Sequence, residues 1–402
     1  MELRASQPPI SLAAALDLAT SHGTPLYVYS EERLRETIQH IQACFDYIPT
    51  EFFFAAVTNG NLALLRRFRD WGWGIHANTP GDVFLALEAG FSPANVVYSG
   101  SNLNRQEIEQ LLAWRVGVLN LDCLDQLRLL CDLVRSQAAP HLALGLRLNH
   151  PDLTGESRIG VSADEFPLAV ALASQVGLKI SGLHFYRGTG TNATAAFTNV
   201  IGHLLAIARQ LPDWSYLDLG GGFGYPYRHA AAAFDWQAFG RALGEALRQQ
   251  QASIRLLLEP GRAAIAGCAV LLTTVVAIKW QGDRQIVGVD TSIANLAVLA
   301  VHGGYRQVVC ASQTEGSATI LSDVCGNTTY SRDYLARGCP LPRLRCGDLL
   351  MILDVGAYGY AMSSHFLHRP RPAEILLQDG HAHVIRERES LADLLHRQMS
   401  LN

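Results

Sequence analysis

The chain has 402 residues, 49% hydrophobic and 17% charged, which suits a globular protein large enough for two domains. A formal net charge of −4 gives no support for polycationic binding to nucleic acid. The eight cysteines (Cys44, Cys123, Cys131, Cys268, Cys310, Cys325, Cys339 and Cys346) form no CxxC pair, so reduced thiols in a cytoplasmic protein are expected, with no metal site and no disulfide framework. At the N-terminus, MELRASQPPISLAAALDLATSHG holds a short apolar run interrupted by acidic residues. No stretch reaches membrane-spanning length, and neither a signal peptide nor a transmembrane helix is expected.

The strand-like LYVYS near residue 26 comes first, followed by the helical EERLRETIQHIQACF. Between residues 52 and 261 one pattern then recurs eight times: a short apolar run, then a longer stretch with helical periodicity. The apolar runs are 52–57, 74–78, 96–100, 117–122, 143–149, 180–186, 216–221 and 255–261. Amphipathic segments such as NLALLRRFRDWG, TPGDVFLALEAG, NRQEIEQLLAWR and CLDQLRLLCDLVRSQ lie between them. Eight strands alternating with helices is the count at which a parallel sheet closes into a (β/α)8 TIM barrel rather than staying open. Beyond residue 262 the texture turns β-rich, in AVLLTTVVAIKW, RQIVGVD, YRQVVCA, SATILSDV, DLLMILDVGAY and AEILLQDGHAHVIRE. The expected fold is therefore α/β: a barrel over 31–265 and a mostly antiparallel β-domain from 266–402, which LYVYS within 1–30 joins.

Chemistry in such barrels sits at the C-terminal ends of the strands. That rule selects Thr58, His76, Asn78, Arg147, Asn149, His184, Tyr186, the Gly220–Gly222 triplet, Glu259 and Arg262. LDLGGGFG ends a strand in three glycines, whose missing Cβ atoms let backbone N–H groups approach an anion; a tight turn with no ligand is the competing reading. One strand later, LLLEPGR puts Glu259 and Arg262 on one face. A guanidinium beside a glycine nest suits a phosphate, and a nearby carboxylate suits a protonated ring nitrogen. A barrel-closing salt bridge is the alternative. Together the motifs indicate a phosphorylated heteroaromatic ligand.

TPLYVYSEERLRETI, NLALLRRF, GLHFYRGTGT, LDLGGGFGYPY, EPGR, CGN and GDLLMILDVGAYGYAMSSHFLHRPRPAE together resemble the fold-type III PLP-dependent decarboxylases over nearly the whole chain. Within that group of diaminopimelate, ornithine and arginine decarboxylases, the diaminopimelate branch is the most similar. The resemblance implies an alanine-racemase-like barrel plus β-domain, assembled as a homodimer with shared active sites, acting on an amino-acid-type small molecule. It implies that Gly220, Gly221, Gly222, Gly261 and Arg262 form a phosphate cup. Thr189 and Tyr358 would lie beside the phosphate, and Glu259 would partner the pyridine nitrogen. Cys325 would be the cysteine lent to the neighbouring subunit's site as a proton donor, and His184 remains a catalytic candidate.

Several family positions have changed. The Schiff-base lysine of the family falls on Thr58, in AAVTNGN. A hydroxyl forms no imine, and the two lysines of the chain, Lys179 and Lys279, stand elsewhere. His76 replaces an aspartate near the cofactor, and Tyr186 replaces the histidine that stacks on its ring. On the substrate side Cys325-Gly326-Asn327 stands where the family has Cys-Glu-Ser, about three extra residues precede Asp333, and no arginine lies between Val287 and Tyr305. Arg332, Tyr330, His302 and Asp333 are candidate substrate contacts. Three functions follow. One is a divergent decarboxylase, a carbon–carbon lyase, using PLP held noncovalently or entering as a preformed imine. Another is a noncatalytic homologue that binds or regulates a partner. The third is a PLP-independent enzyme using the cup for a substrate phosphate.

Overall fold

The computed structural model describes residues 7–135, 142–188, 190–228, 230–251, 253–312 and 318–399. They form two units, one of residues 39–225 and 233–263, the other of the flanking segments with 226–232. In the first unit eight strands close a parallel barrel: β2 (Thr50–Ala55), β3 (Gly74–Ala77), β4 (Val96–Tyr98), β5 (Val118–Leu121), β6 (Ala143–Arg147), β7 (Ile180–His184), β8 (Tyr216–Asp218) and β9 (Arg255–Leu258). Strand β1 (Leu26–Ser30) belongs to the other unit. Strands buried on both faces read as short continuous apolar runs, which is why all eight stood out before the structure was known.

The intervening helices start where their caps dictate. Thr79 and Asp82 form a capping box around Pro80, opening the helix Pro80–Glu88. Asn104 and Glu107 do the same for Arg105–Trp114, and Asn61 caps Leu62–Asp70. Inside the barrel Phe53, Val97, Val118, Tyr216 and Leu257 pack together. Gly145 and Gly182 make room for the Tyr216 ring: a Cβ on Gly182 would lie 1.8 Å from Tyr216 Cζ.

The second unit is built on a nine-stranded sheet. Its strands are β1, β10 (Ala269–Gln281), β11 (Arg284–Val289), β12 (Val308–Cys310), β13 (Ile320–Cys325), β14 (Tyr334–Leu341), β15 (Leu349–Leu353), β16 (Ala373–Gln378) and β17 (His381–Arg386). The main path runs β14-β13-β11-β10-β1-β16-β17, with β15 pairing β10 and β12. LYVYS therefore joins this sheet, antiparallel to β10 and parallel to β16, with all five residues buried. A helix at Leu12–His22, capped by Ser11, packs Ala15 and Leu18 into the same core as Val28, Val270 and Ile375. Neither that helix nor β14 was expected. In YLARGCPL the left-handed Gly338 and Pro340 interrupt the strand pattern, and pairing with β13 is irregular. Tyr227 and Arg228 are held in this unit by crossed stacking, Arg228 over Tyr305 at 4.3 Å and Arg306 over Tyr227 at 3.6 Å. No helix among the described residues is long and apolar enough to cross a membrane.

Candidate active site

The C-terminal ends of five strands gather a buried polar cluster. β3 contributes His76, β6 Arg147, β7 His184 and β8 Asp218, and Glu259 directly follows β9. Glu259 Oε2 lies 3.4 Å from His76 Nε2 and 3.6 Å from His184 Nε2. Asp218 Oδ1 accepts from Gly220 N at 2.9 Å and Oδ2 from Asn120 Nδ2 at 3.0 Å. Asn120 accepts in turn from the Tyr216 hydroxyl at 2.8 Å. A polar chain thus runs from the middle of the bore to its mouth. Asp218, Asn120 and Tyr216 were missed as site residues. Asp218 ends its strand and so satisfies the strand-end rule.

Burial dominates the electrostatics. It raises Glu259 to about 7, against the hydrogen bond from Asp218 and the nearby Arg147 charge. Asp218 is pushed well above the carboxylate range by burial and by Glu259, so the two carboxyl groups favour sharing a proton. His184 is lowered to about 4 by burial, and His76 falls well below its ordinary value through burial, His184 and Arg147. Both imidazoles are therefore neutral at pH 7.

Beside this cluster lies a cradle of glycine backbone. Gly220 and Gly222 have φ of +60° and +90°, conformations costly for other residues. A Cβ on Gly220 would stand 2.4 Å from Phe185 O, on Gly221 2.7 Å from Glu259 O, and on Gly222 2.3 Å from Gly188 O. Arg262 opens the short helix Arg262–Ile265, and a Cβ on Gly190 would be 3.3 Å from its Nε. Tyr186 borders the cradle, 3.5 Å from the Cβ position of Gly222, with Arg147 stacked on its ring at 5.1 Å. Thr189 lies outside the described residues. His76, His184, Tyr186, Gly220–Gly222, Glu259 and Arg262 are thus brought to one end of the barrel.

Thr58 closes the 3-10 turn Ala56–Thr58 that follows β2. It is 1% exposed, and its hydroxyl donates to Ala55 O at 2.6 Å. Its methyl faces Gly261, whose Cβ would be 2.7 Å away. No lysine substitutes for it. Lys179 immediately precedes β7 and pairs with Asp213 at 2.7 Å, and the five-residue rise of that strand separates it from the His184 end by about 16 Å. Lys279 is exposed on β10 in the other unit.

The remaining candidates lie in the β-rich unit. Cys325 ends β13, half-buried, its thiol raised to about 11 by burial and by Asp323 and Asp333. Asp333 is 3% exposed and accepts from Ile293 N, Thr328 N and Thr328 Oγ1, which ties its carboxylate to the local loop. Tyr330 packs edge-on against Phe366, and Arg332 and His302 are exposed. Tyr358 takes a left-handed φ of +59° between Gly356, tight against Ile265 O, and Gly359, tight against Tyr27. Such an outlier in a bulky residue is a pointer to function.

A closed barrel with a glycine cradle, an arginine and a buried carboxylate at its C-terminal mouth defines a phosphate-ligand barrel of the cofactor-binding kind. Residues 31–266 match the family model described as the pyridoxal-dependent decarboxylase, pyridoxal binding domain, and the chain belongs to this family of PLP-dependent amino-acid decarboxylases. It is 34% identical to diaminopimelate decarboxylase of Methanothermobacter thermautotrophicus, over 96% of this chain and 94% of that protein. It is 30% identical to the Archaeoglobus fulgidus enzyme of the same name, over 95% and 94%. The crystal structure of diaminopimelate decarboxylase from Helicobacter pylori complexed with L-lysine is 26% identical, with a TM-score of 0.87 over 95% of this chain and 98% of that one.

PLP is the cofactor of the family. The residues present fit its two polar ends. At the Gly220–Gly222 turn neighbouring carbonyl oxygens leave no room for a Cβ, so only glycine keeps this backbone, and Glu259 Oε1 is a buried acceptor without a hydrogen-bond partner. Thr58, where the resemblance puts the family's lysine, presents a methyl group and an already donated hydroxyl.

Proposed function

We propose that this chain is a divergent PLP-dependent amino-acid decarboxylase, a carbon–carbon lyase that holds its cofactor noncovalently or takes it up already joined to its amino acid. What supports this reading is the glycine turn of Gly220–Gly222 beside a buried, unpartnered Glu259 oxygen, together with Thr58, a buried residue without an amine, where the resemblance puts the family's lysine. When bound, PLP supplies an electron sink for the bond being broken. The chain's own groups do the rest. Arg262 and the N–H groups of Gly220–Gly222 hold the phosphate. Glu259 faces the ring nitrogen, and Tyr186, steadied by Arg147, covers a ring face. Cys325, raised to about 11, keeps its proton at neutral pH and is the donor in a homodimer with shared sites. Arg332, Tyr330 and His302 are the groups left to meet a substrate. Asp333 supports them from behind. A cytoplasmic setting accords with eight free cysteines.

Replacement of the tether together with changes at His76 and Tyr186 favours a second reading, a noncatalytic homologue that binds a small phosphorylated ligand or a partner. Titration of the purified chain with PLP, followed by trapping of carbon dioxide released from basic amino acids, separates the two. The decarboxylase reading predicts saturable PLP binding and carbon dioxide release from at least one amino acid. Binding without any release supports the second reading, and no binding of PLP, either alone or with an amino acid present, contradicts the first.

A further inference from the structure

We infer that Arg147 is the carboxylate receptor of the site, its guanidinium binding the carboxylate of the amino acid that meets the cofactor or arrives joined to it. The inference deepens the decarboxylase reading and rests on it. Arg147 is the last residue of β6 and pairs in register with His184 of β7, so it stands at the same rim as Glu259 and the glycine turn. In the closed barrel β6 lies four strands from β2, which places Arg147 across the mouth from Thr58. Its side chain is half-buried and stacks on the Tyr186 ring at 5.1 Å. Among the described residues its guanidinium makes no hydrogen bond and no ion pair.

Burial lowers the Arg147 pKa against the Glu259, Tyr186, Asp122 and Asp218 charges, yet a guanidinium stays protonated in proteins. None of those carboxylates is in ion-pair contact with it. Asp218 is turned to Gly220 N and Asn120 Nδ2, Asp122 accepts from Ser101 Oγ, and Glu259 Oε2 lies between the two imidazoles. The N–H donors of the fork are therefore open, and a cation drawn from water without a bonded partner is costly. The ligand of the proposed reaction carries two anionic groups, a phosphate and a carboxylate. The glycine turn and Arg262 take the phosphate, which leaves Arg147 for the carboxylate. A planar guanidinium matches a carboxylate through two parallel N–H···O bonds. Stacking on Tyr186 restricts the fork before a ligand arrives. With Thr58 in place of an amine, contacts of this kind must retain the amino-acid half of the ligand.

Two stable conjugates provide the test: phosphopyridoxyl-alanine, and phosphopyridoxyl-ethylamine, which differs only in lacking the carboxylate. Their affinities for the full-length chain are measured by isothermal titration calorimetry. Wild type should bind the alanine conjugate at least about tenfold more tightly. Arg147→Met should bring that ratio close to one, and Arg147→Lys, which keeps the charge but not the fork, should recover part of it. A general loss of fold or of cofactor grip weakens both conjugates alike and leaves the ratio unmoved. If Arg147→Met fails to fold by circular dichroism, a narrowed ratio in Arg147→Lys supplies the reading. Equal affinities in wild type, or a ratio that persists in the Arg147 variants because both conjugates weaken together, overturns the inference and leaves the cofactor reading standing. Failure of wild type to bind either conjugate contradicts the decarboxylase reading and the inference with it, so the two failures are distinguishable.

Discussion

Glu259 is surrounded by Asp218, two imidazoles and the Arg147 charge, and its titration reports on that enclosure. Its carboxyl titrates at about 7 in the fold and near 4.5 in the unfolded chain. The folded state therefore binds more protons in that interval, and this contribution to stability, full below pH 4.5, is lost as pH rises toward 7. His184 has the opposite sign. Lowered from 6.5 to about 4, it favours folding increasingly as pH rises from 4 to 6.5. Urea midpoints across pH 4.5–7 should show Glu259→Gln gaining stability relative to wild type as pH rises, because only the variant escapes the carboxylate penalty. A constant difference across that range would mean that Glu259 is already ionised in the fold. At this scale much of the site was legible: His76, His184, Glu259 and Arg262 follow from strand ends and the EPGR motif. Tyr216 and Asn120 were not. The glycines that admit the Tyr216 ring, Gly145 and Gly182, lie on other strands, and nothing in the local pattern links them.

The turn after β8 shows how an element becomes a binding surface. Gly222 combines a φ of +90° with a Cβ position 2.3 Å from Gly188 O, so Gly222→Ala meets both strain and collision. Backbone strain alone is about 1–2 kcal/mol, equal to roughly a tenfold change in an equilibrium constant. We expect PLP affinity to fall at least about tenfold and the thermal midpoint to drop. Gly72→Ala, with φ of +80° and open space around its Cβ, bears only the strain and should leave PLP affinity unchanged. Equal effects on affinity would show that the cradle makes no use of its close approach. Repeated strands and helices were readable because the apolar runs are short and continuous and helices such as Pro80–Glu88 and Arg105–Trp114 carry their own caps. β14 was hidden by Gly338 and Pro340, and β13 satisfies it by tolerating register shifts.

The second sheet depends on pairings that span nearly the whole chain. Leu26 faces Leu272 on one side and Ala373 on the other. Beneath them Glu374, fully buried, accepts from the Tyr29 hydroxyl at 2.6 Å and from Arg386 Nε at 2.5 Å. Removing Arg386 takes a charged hydrogen-bond partner away from a buried carboxylate. Arg386→Ala should cost about 3 kcal/mol in chemical unfolding, and Glu374→Gln in the same background should recover part of it. An unchanged unfolding midpoint for Arg386→Ala would contradict this. The pairing of LYVYS with the C-terminal sheet was anticipated from its strand character, whereas its partners were not, since register across such separations is set by packing. Across the whole chain, we propose a decarboxylase barrel that grips PLP with no amine to tether it. Borohydride reduction of the PLP-loaded chain, read by intact-mass and peptide mass spectrometry, tests this most directly. We predict that wild type returns its unmodified mass while Thr58→Lys gains one phosphopyridoxyl group on residue 58. A phosphopyridoxyl group fixed to a lysine of the wild-type chain would contradict the account.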